Sequence, residues 1–164
     1  MSSIKRRKSG AMKVSDWMTE KVYTLELQDT LRTAREFMAK HRINQMPVVA
    51  NEKLVGIVTD RDIRDAYPTT MVLQHGKDID DFGEAHTVEE VMTFNVITVP
   101  PDAPLRNAVS LLRRHRIGAL PVVNEGGLVG MITRSDVLDF LLSGKSLNEP
   151  RPRNRRGKKT GRSR

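Results

Sequence analysis

HRINQMPVVANEKLVGIVTDRD, residues 41–62, returns 74 residues later as HRIGALPVVNEGGLVGMITRSD, residues 115–136. Extended outward, the comparison aligns residues 14–66 with 88–140 without a gap, and 20 of the 53 positions are identical. Ordinary composition would give roughly three identities by chance. The chain therefore contains two copies of one unit, repeat 1 (14–66) and repeat 2 (88–143), whereas a solenoid needs three or more.

Both repeats begin with a short apolar segment followed by a helix. We predict a brief β-strand at 22–25 and another at 96–99, because apolar residues run together there. In repeat 1 a helix is predicted over 30–41, where apolar residues recur at helical spacing. In repeat 2 we expect Asp102 to cap the helix and Pro104 to lie in its first turn, where proline is tolerated.

Each repeat continues with a hairpin and a second helix. Two apolar strands flank turn-rich residues at 50–53 and at 124–127, and the last helix is predicted to begin behind Thr59 or Thr133. Each repeat is thus β-α-β-β-α, a mixed α/β (α+β) unit too small to bury much surface alone. We expect the two repeats to pack sheet against sheet, as a pseudo-two-fold pair around one shared core.

The net charge of +8 is unevenly distributed. Residues 1–13 carry a net +5 and residues 144–164 a net +8, whereas residues 14–143 carry a net −5. Both ends lack apolar periodicity and are predicted to be flexible basic tails. The linker 67–87 is acidic in its centre and is expected to wrap the surface, with room for a short helix. Any polyanionic partner should therefore contact the tails and not the fold.

The sequence lacks the signatures of several classes of protein. Cysteine is absent, which excludes disulfides and thiolate metal sites and favours a reducing, cytoplasmic location. No stretch approaches 18 apolar residues, and the start has no signal-peptide apolar region, so we expect no membrane association. The G-x-S-x-G, H-E-x-x-H, Walker and G-x-G-x-x-G motifs are also missing. We therefore predict that the chain is not an enzyme.

Side chains that bind metals do not form a recognisable set, and we expect no metal site. The four histidines are not spaced as ligands, and His41 and His115 are expected at helix ends. The linker carboxylates Asp78, Asp80 and Asp81 are expected in a solvated loop. The methionines expected to fill the core, and not to bind a soft metal, are Met38, Met46, Met71, Met92 and Met131.

The pattern Gly-apolar-apolar-Thr-x-x-Asp occurs once in each repeat, ending at Asp62 and at Asp136. Its simplest interpretation is a capping box, in which the threonine caps a helix and the aspartate reaches back to the threonine N–H. Such a cap needs no ligand. The same side chains could also hold one.

Taken together, the HRI…PVV blocks (41–49, 115–123), the Thr-x-x-Asp blocks (56–62, 130–136) and the duplicated topology resemble the CBS motif. Residues 14–143 resemble a CBS pair, or Bateman module, which covers about four-fifths of the chain and leaves both tails outside. One pair with an acidic linker is also similar, more loosely, to acetoin-utilisation-type CBS proteins. The resemblance implies that the pair binds an adenine-containing ligand.

For this family the resemblance implies that the aspartate binds ribose and the threonine binds phosphate. Adenine would lie in a cleft of apolar and backbone groups near the first strand and the PVV strand. The helix N-terminus would add free N–H donors, and a nearby arginine could pair with phosphate. The expected nucleotide-binding residues are Thr59, Arg61, Asp62, Val22, Thr24, Met46 and Pro47 in repeat 1, and Thr133, Arg134, Asp136, Val96, Thr98, Leu120 and Pro121 in repeat 2.

We therefore expect a non-enzymatic regulatory module that binds AMP, ADP, ATP, NAD or S-adenosylmethionine and requires no cofactor. A homodimer is expected, and the ligand would bias the packing of the repeats or of the dimer. The tails are expected to contact RNA, the ribosome or another polyanion through phosphates. The expected contacts are Lys5, Arg6, Arg7, Lys8, Arg151, Arg153, Arg155, Arg156, Lys158, Lys159, Arg162 and Arg164.

Two other interpretations stay open. The chain could be a constitutive nucleic-acid- or ribosome-associated factor that uses the CBS pair only as a dimerising body. Such a factor would bind RNA equally well with and without nucleotide. The chain could also be a structural adaptor with empty clefts, which would melt identically with every adenosyl ligand.

Overall fold

The computed structural model of the chain describes residues 12–68 and 76–144. Its elements are β1 (Leu25–Glu26), α1 (Leu31–His41), β2 (Gln45–Ala50), β3 (Lys53–Thr59), α2 (Asp60–Ala66), α3 (Gly76–Ala85), α4 (Leu105–His115), β4 (Ala119–Asn124), β5 (Gly127–Thr133) and α5 (Arg134–Leu142). Short 3-10 helices at Val14–Asp16 and Val88–Glu90 open the two repeats. The predicted mixed α/β fold is confirmed. The predicted RNA contacts in the tails and Met71 lie outside the described residues.

The strands of the described chain form one sheet in the order β1-β2-β3-β5-β4. β2 pairs antiparallel with β3, and β4 pairs antiparallel with β5 in the matching register. Within this sheet the two hairpins join at one residue pair, Lys53 of β3 with Gly127 of β5. The repeats therefore meet at the edges of their hairpins.

Both hairpin turns form where they were predicted. Asn51 and Glu52 have φ angles of 50° and 64°, and Glu125 and Gly126 have φ angles of 50° and 84°. Positive φ at both central residues is typical of the two-residue turn that matches the right-handed twist of paired strands. These turns set the register of each hairpin.

The predicted first strands are only partly right. In repeat 1 the strand is β1, only two residues long and parallel to β2, so residues 22–24 lie outside the ladder. In repeat 2 the range 96–99 contributes a single parallel bridge, from Val99 to Val122. Two prolines follow Val99, and because proline has no N–H to donate, the ladder ends there.

The first helix of each repeat begins differently. Thr30 caps α1, and its hydroxyl accepts a hydrogen bond from the first turn, close to the predicted start. α4 begins at Leu105 behind Pro104, so the prediction that Asp102 caps this helix is wrong. The Leu105 N–H donates instead to the Met12 carbonyl at 2.7 Å. The Leu31 N–H of α1 likewise donates to the His86 carbonyl at 2.9 Å, so in both repeats a distant segment satisfies the first N–H of this helix.

Buried side chains form two separate clusters, so the predicted single shared core is wrong. Each repeat instead completes its core with a segment from the start of the other repeat. We call residues 12–19 and 86–93 the exchanged segments. Their buried side chains are Met12, Val14 and Trp17, which enter the core of repeat 2, and Val88 and Met92, which enter the core of repeat 1.

The exchange obeys the expected two-fold symmetry. The Val14 N–H donates to the Ala103 carbonyl at 2.9 Å, and the Val88 N–H donates to the Asp29 carbonyl at 2.8 Å. These two bonds are related by the 74-residue offset between the repeats. Four isolated antiparallel bridges follow the same offset in pairs, Lys13–Pro104 with Thr30–Thr87 and Thr19–Met131 with Ile57–Thr93.

The carboxylates of the acidic linker lie on a packed helix, so the prediction that they lie in a solvated loop is wrong. α3 packs on α1, with Asp80 3.1 Å from Arg35 and Glu84 3.4 Å from Arg32. The other two predicted loop carboxylates lie on the same helix. Because these ion pairs are largely exposed, they add little to stability, and their effect is to orient α3.

The remaining apolar predictions hold within the described residues. Four of the five methionines expected in the core are buried there: Met38, Met46, Met92 and Met131. Every helix in the ranges 12–68 and 76–144 is too short or too polar to cross a membrane.

Candidate functional site

The Thr-x-x-Asp pattern of each repeat forms a capping box, as predicted. Asp62 Oδ2 accepts hydrogen bonds from the Thr59 N–H at 2.8 Å and from the Thr59 hydroxyl at 2.7 Å. The Thr59 hydroxyl in turn accepts from the Asp62 N–H at 3.2 Å. Thr133 and Asp136 make the same three contacts at 2.7, 2.7 and 3.2 Å.

Each cap leaves one carboxylate oxygen available. The contacts to Asp62 and Asp136 all use Oδ2, and neither Oδ1 accepts a hydrogen bond from any described residue. Both side chains are half-buried. An ionised carboxylate only accepts hydrogen bonds, and hydroxyl groups can donate them. Each Oδ1 can therefore receive a ligand hydroxyl without breaking its cap.

The donors expected for a phosphate group are fewer than the sequence suggested. The first N–H of α2, on Asp60, donates to the Asn44 carbonyl at 2.9 Å, and the first N–H of α5, on Arg134, donates to the Gly118 carbonyl at 3.0 Å. The third N–H donates to the threonine hydroxyl, whose own proton is used by the aspartate. A phosphate at either helix end would have to compete for most of these donors.

The two predicted arginines are placed differently. Arg61 and Arg134 are both exposed, but Arg134 Nε donates to the Ile117 carbonyl at 2.9 Å. In the repeat alignment Arg134 corresponds to Asp60, and Arg61 corresponds to Ser135. The positive charge therefore sits at the first helical position in repeat 2 and at the second in repeat 1.

A cavity of about 260 Å³ lies between the repeats, and we call it the inter-repeat cavity. One wall is the segment 20–24 and the hairpin of repeat 1, and the other wall is β5 of repeat 2. Thr19 pairs with Met131, which holds segment 20–24 beside β5. The lining residues are Glu20, Val22, Thr24, Val49, Glu52, Leu128, Val129 and Gly130.

The cavity links predicted site residues from different repeats. Val22 and Thr24, which were predicted as ligand contacts, both line it. Its β5 wall runs toward Thr133, which lies three residues beyond Gly130, or about 10 Å along a strand. Thr59 lies at the end of β3 remote from the hairpin turn. Segment 20–24 of repeat 1 therefore lies beside β5, the strand of repeat 2 that leads to the capping box at Thr133.

Other predicted contacts lie elsewhere. Val96 and Thr98 hold the repeat 2 positions equivalent to Val22 and Thr24 and do not line this cavity. Four predicted cleft residues are buried side chains of the two hairpins: Met46, Pro47, Leu120 and Pro121.

Sequence reasoning missed the carboxylates of the cavity and its β5 wall. Glu20 and Glu52 come from repeat 1, but they reach the same cavity as Gly130 only because segment 20–24 pairs across the repeats. Neither glutamate belongs to a recognisable motif. The one available signal was the 74-residue offset, which shows that no carboxylate stands at the equivalent positions of repeat 2.

The histidines take the ordinary positions expected of them. His41 ends α1 and His115 ends α4. The His41 ring lies 4.3 Å from the ring centroids of both Tyr23 and Phe37. In the described part of the chain, no three His, Asp or Glu side chains come together as a group that could hold a metal ion.

Comparison with known proteins also finds two units in this chain. The family model described as the CBS domain matches residues 14–69 and 88–143. A CBS domain-containing protein of Dictyostelium discoideum is 35% identical over 131 residues, which are 79% of this chain and 90% of that protein.

Two solved structures share the fold. A Vibrio cholerae protein described as an acetoin utilization protein is 36% identical with a TM-score of 0.68, over 80% of this chain and 90% of that one. A CBS domain pair crystallised with 5′-methylthioadenosine and S-adenosyl-L-methionine is 30% identical with a TM-score of 0.67, over 81% of this chain and 98% of that one.

Proposed function

We propose that this chain, which belongs to the CBS domain family and carries a pair of its domains, is a non-enzymatic regulatory module that binds an adenine nucleotide or another adenosyl ligand. The inter-repeat cavity is the observation that carries this proposal. Two of the predicted ligand contacts line it, and its β5 wall ends at the capping box of Asp136. There the free Oδ1 is suited to ribose hydroxyls.

The ligand class is supported by a relative. A CBS domain pair that is 30% identical to this chain was crystallised with 5′-methylthioadenosine and S-adenosyl-L-methionine. Both compounds contain adenosine. A ligand in the inter-repeat cavity would contact both repeats, and it would shift their packing by its difference in affinity between two arrangements. Asp62, with its own free Oδ1, is the corresponding candidate in repeat 1.

A thermal-shift series with AMP, ADP, ATP, NAD and S-adenosylmethionine tests the proposal. At 100 times the dissociation constant, a ligand stabilises the native state by about 2.7 kcal/mol. We expect Asp136→Asn and Asp62→Asn to weaken binding by about 1.5–3 kcal/mol, because each removes the charge from a charge-assisted hydrogen bond.

Asp16→Asn is the matched control. Asp16 Oδ2 accepts from the Lys13 N–H at 2.9 Å, so this change also alters an acidic cap but involves no candidate ligand contact. It should leave ligand affinity unchanged. If the double variant of Asp62 and Asp136 binds as tightly as the wild type, these aspartates serve only as helix caps.

We also propose that the basic ends contact RNA or the ribosome. The support is the charge distribution, a net +8 in residues 144–164 against a net −5 in residues 14–143. Binding through about eight phosphate contacts would fall by roughly 10³–10⁵ between 50 and 200 mM salt. Ending the chain at residue 144 should remove most RNA retention in a filter-binding assay while leaving nucleotide affinity intact. A constitutive factor would show the same RNA affinity with and without nucleotide.

A homodimer formed through α5 completes the proposal. Leu138, Leu141 and Leu142 lie on this helix at spacings of three and four residues and are 58%, 63% and 85% exposed. The position of repeat 1 equivalent to Leu138 is Arg64, so this apolar surface belongs to repeat 2 alone. Leu141→Glu with Leu142→Glu should give a monomer in sedimentation equilibrium. An unchanged mass would place the contact elsewhere.

A further inference from the structure

We propose that the inter-repeat cavity selects uncharged or cationic adenosyl compounds over nucleoside phosphates, and that Glu20 and Glu52 determine this selectivity. The inference rests on the proposed function and names the ligand class of that same site. Its basis is the charge of the cavity wall.

The only charged side chains that line the cavity in the described chain are two carboxylates. Glu20 and Glu52 line the cavity, and its described lining contains no Lys, Arg or His. Lys21 and Lys53 follow these glutamates in sequence, but neither lines the cavity. No ion pair or side-chain hydrogen bond joins either glutamate to another described residue. A ligand in the cavity would therefore meet a negative potential.

The carboxylates are a property of this cavity and not of the repeat. Shifting by 74 residues places Phe94 at the position of Glu20 and Gly126 at the position of Glu52. The apolar positions are conserved by the duplication, because Val22 and Val49 correspond to valines in repeat 2. The two halves of the pair therefore share an apolar wall and differ in charge.

Glu52 also occupies a backbone conformation that suits glycine better. Its φ is 64°, and the equivalent residue of repeat 2 is Gly126 with φ 84°. The hairpin turn requires this conformation, and a residue with a side chain is strained in it, so glycine would fit at lower cost. Here the strained position holds a carboxylate on the wall of the candidate site.

Simple electrostatics gives the expected preference. A phosphate monoester carries a charge of about −1.5 to −2 near neutral pH, and two nearby carboxylates repel it. Two carboxylates on the wall of one cavity that is open to solvent would lower the affinity for a phosphate by about tenfold. A sulfonium group would be attracted instead. Because both glutamates are exposed, added salt should reduce both effects.

Calorimetric titration of the full chain with adenosine, AMP, 5′-methylthioadenosine and S-adenosylmethionine tests the inference. Adenosine and AMP differ only by the phosphate, and S-adenosylmethionine differs from 5′-methylthioadenosine by its sulfonium charge and its aminocarboxypropyl group. We expect the wild type to bind adenosine about tenfold or more tightly than AMP at an ionic strength of about 0.01 M. The ratio should approach one at about 1 M, where the screening length falls to roughly 3 Å.

Two variants isolate the glutamates. Glu20→Gln with Glu52→Gln should bring the AMP affinity to within about threefold of that for adenosine. Glu52→Gly, which installs the residue of repeat 2, should raise the melting temperature and still lower the selectivity, so misfolding cannot explain its result. Asp81→Asn with Asp102→Asn is the control, because it removes two charges from residues that do not line the cavity. It should leave the ratio unchanged.

The possible outcomes separate this inference from the function on which it rests. If the wild type binds AMP as tightly as adenosine, or if the glutamine variant keeps the wild-type ratio, the selectivity is wrong and the adenosyl site stands. If no adenosyl compound binds the wild type, the proposed function fails and the selectivity fails with it.

Discussion

Among the residues of the candidate site, Asp136 combines a structural contact with an unused acceptor. An acidic side chain also accepts a hydrogen bond from a backbone N–H three residues earlier at Asp16, Asp62 and Glu90 in the described chain. The pattern alone therefore reports a helix start. Asp136 differs from Asp16 and Glu90 because it follows β5, which forms one wall of the inter-repeat cavity.

The Tyr67 hydroxyl gives a prediction that concerns stability alone. It is buried with no hydrogen-bond partner among the described residues, and burial raises the pKa of Tyr67 above its ordinary value. Tyr67→Phe removes this unsatisfied group, so we expect the free energy of unfolding to rise by about 1 kcal/mol in urea denaturation. Tyr23→Phe, at a side chain that is 48% exposed, should change it little. A loss of stability in Tyr67→Phe would mean that the hydroxyl has a partner.

The strands differ in whether nearby or distant residues determine them. Each hairpin is set by a two-residue turn with positive φ at both positions, and both hairpins formed where they were predicted. The first strand needs a partner from a distant part of the chain, and it is short in repeat 1 and reduced to the Val99–Val122 bridge in repeat 2. Prolines decide this difference, because they end the ladder after Val99.

Strand β5 and the first exchanged segment approach each other closely at Gly130. A Cβ there would lie 2.9 Å from the Thr19 carbonyl and 2.8 Å from Met18 Sδ. The backbone atom cannot give way, so Gly130→Ala should lower the free energy of unfolding by about 1–3 kcal/mol. Gly127→Ala in the same strand meets only the Asn124 carbonyl at 3.7 Å and is the control. Equal stability of the two variants in thermal denaturation would show that the segment is not held against β5.

The 3-10 helix of the second exchanged segment should respond to acid. Hydrogen bonds from His86 and from the Thr87 N–H lower the pKa of Glu90 below its ordinary value of 4.5. A carboxyl whose pKa is lower in the folded state stabilises the fold above its unfolded pKa, and this contribution is lost as pH falls through the folded pKa. The melting temperature of wild type should therefore fall toward that of Glu90→Gln below about pH 4.5. A constant difference down to the lowest pH would contradict this assignment.

For the molecule as a whole, the exchange of segments is the feature with the widest consequence. Each core depends on residues from the start of the other repeat, with Val14 and Val88 fully buried at equivalent positions. The repeats are therefore coupled although their cores are separate. A ligand that shifts one repeat relative to the other would act on both exchanged segments, which gives the proposed regulatory role a physical route.

Paired truncations of the two valines test this coupling. Val14→Ala and Val88→Ala should each lower the free energy of unfolding by about 2 kcal/mol, because each leaves a small cavity in a packed core. In hydrogen exchange, Val14→Ala should speed exchange of amides in β4 and β5, and Val88→Ala should speed exchange in β2 and β3. If each variant instead loosens its own repeat, the segments are not exchanged in solution.

Features that depend on residues close together in the sequence could be predicted from the sequence alone. The duplication, both hairpins with their turns, and the two caps at Thr59 and Thr133 depend on residues only a few positions apart, so their patterns are complete within each repeat. The same is true of the mixed α/β fold class. The wrong prediction at Asp102 concerns a helix start whose first N–H contacts the Met12 carbonyl, about ninety positions away, and a local pattern cannot show such a contact.

The two cores, the exchanged segments and the inter-repeat cavity were decided by the tertiary structure alone. Segment 12–19 has the same apolar pattern whether it packs on its own repeat or on the other, so no sequence pattern could choose between them. The choice comes from long-range contacts such as Thr19 with Met131, which align one repeat's first segment with the other repeat's last strand. The glutamates of the cavity acquire their significance only from that alignment, because charges act through distance in space and not through position along the chain.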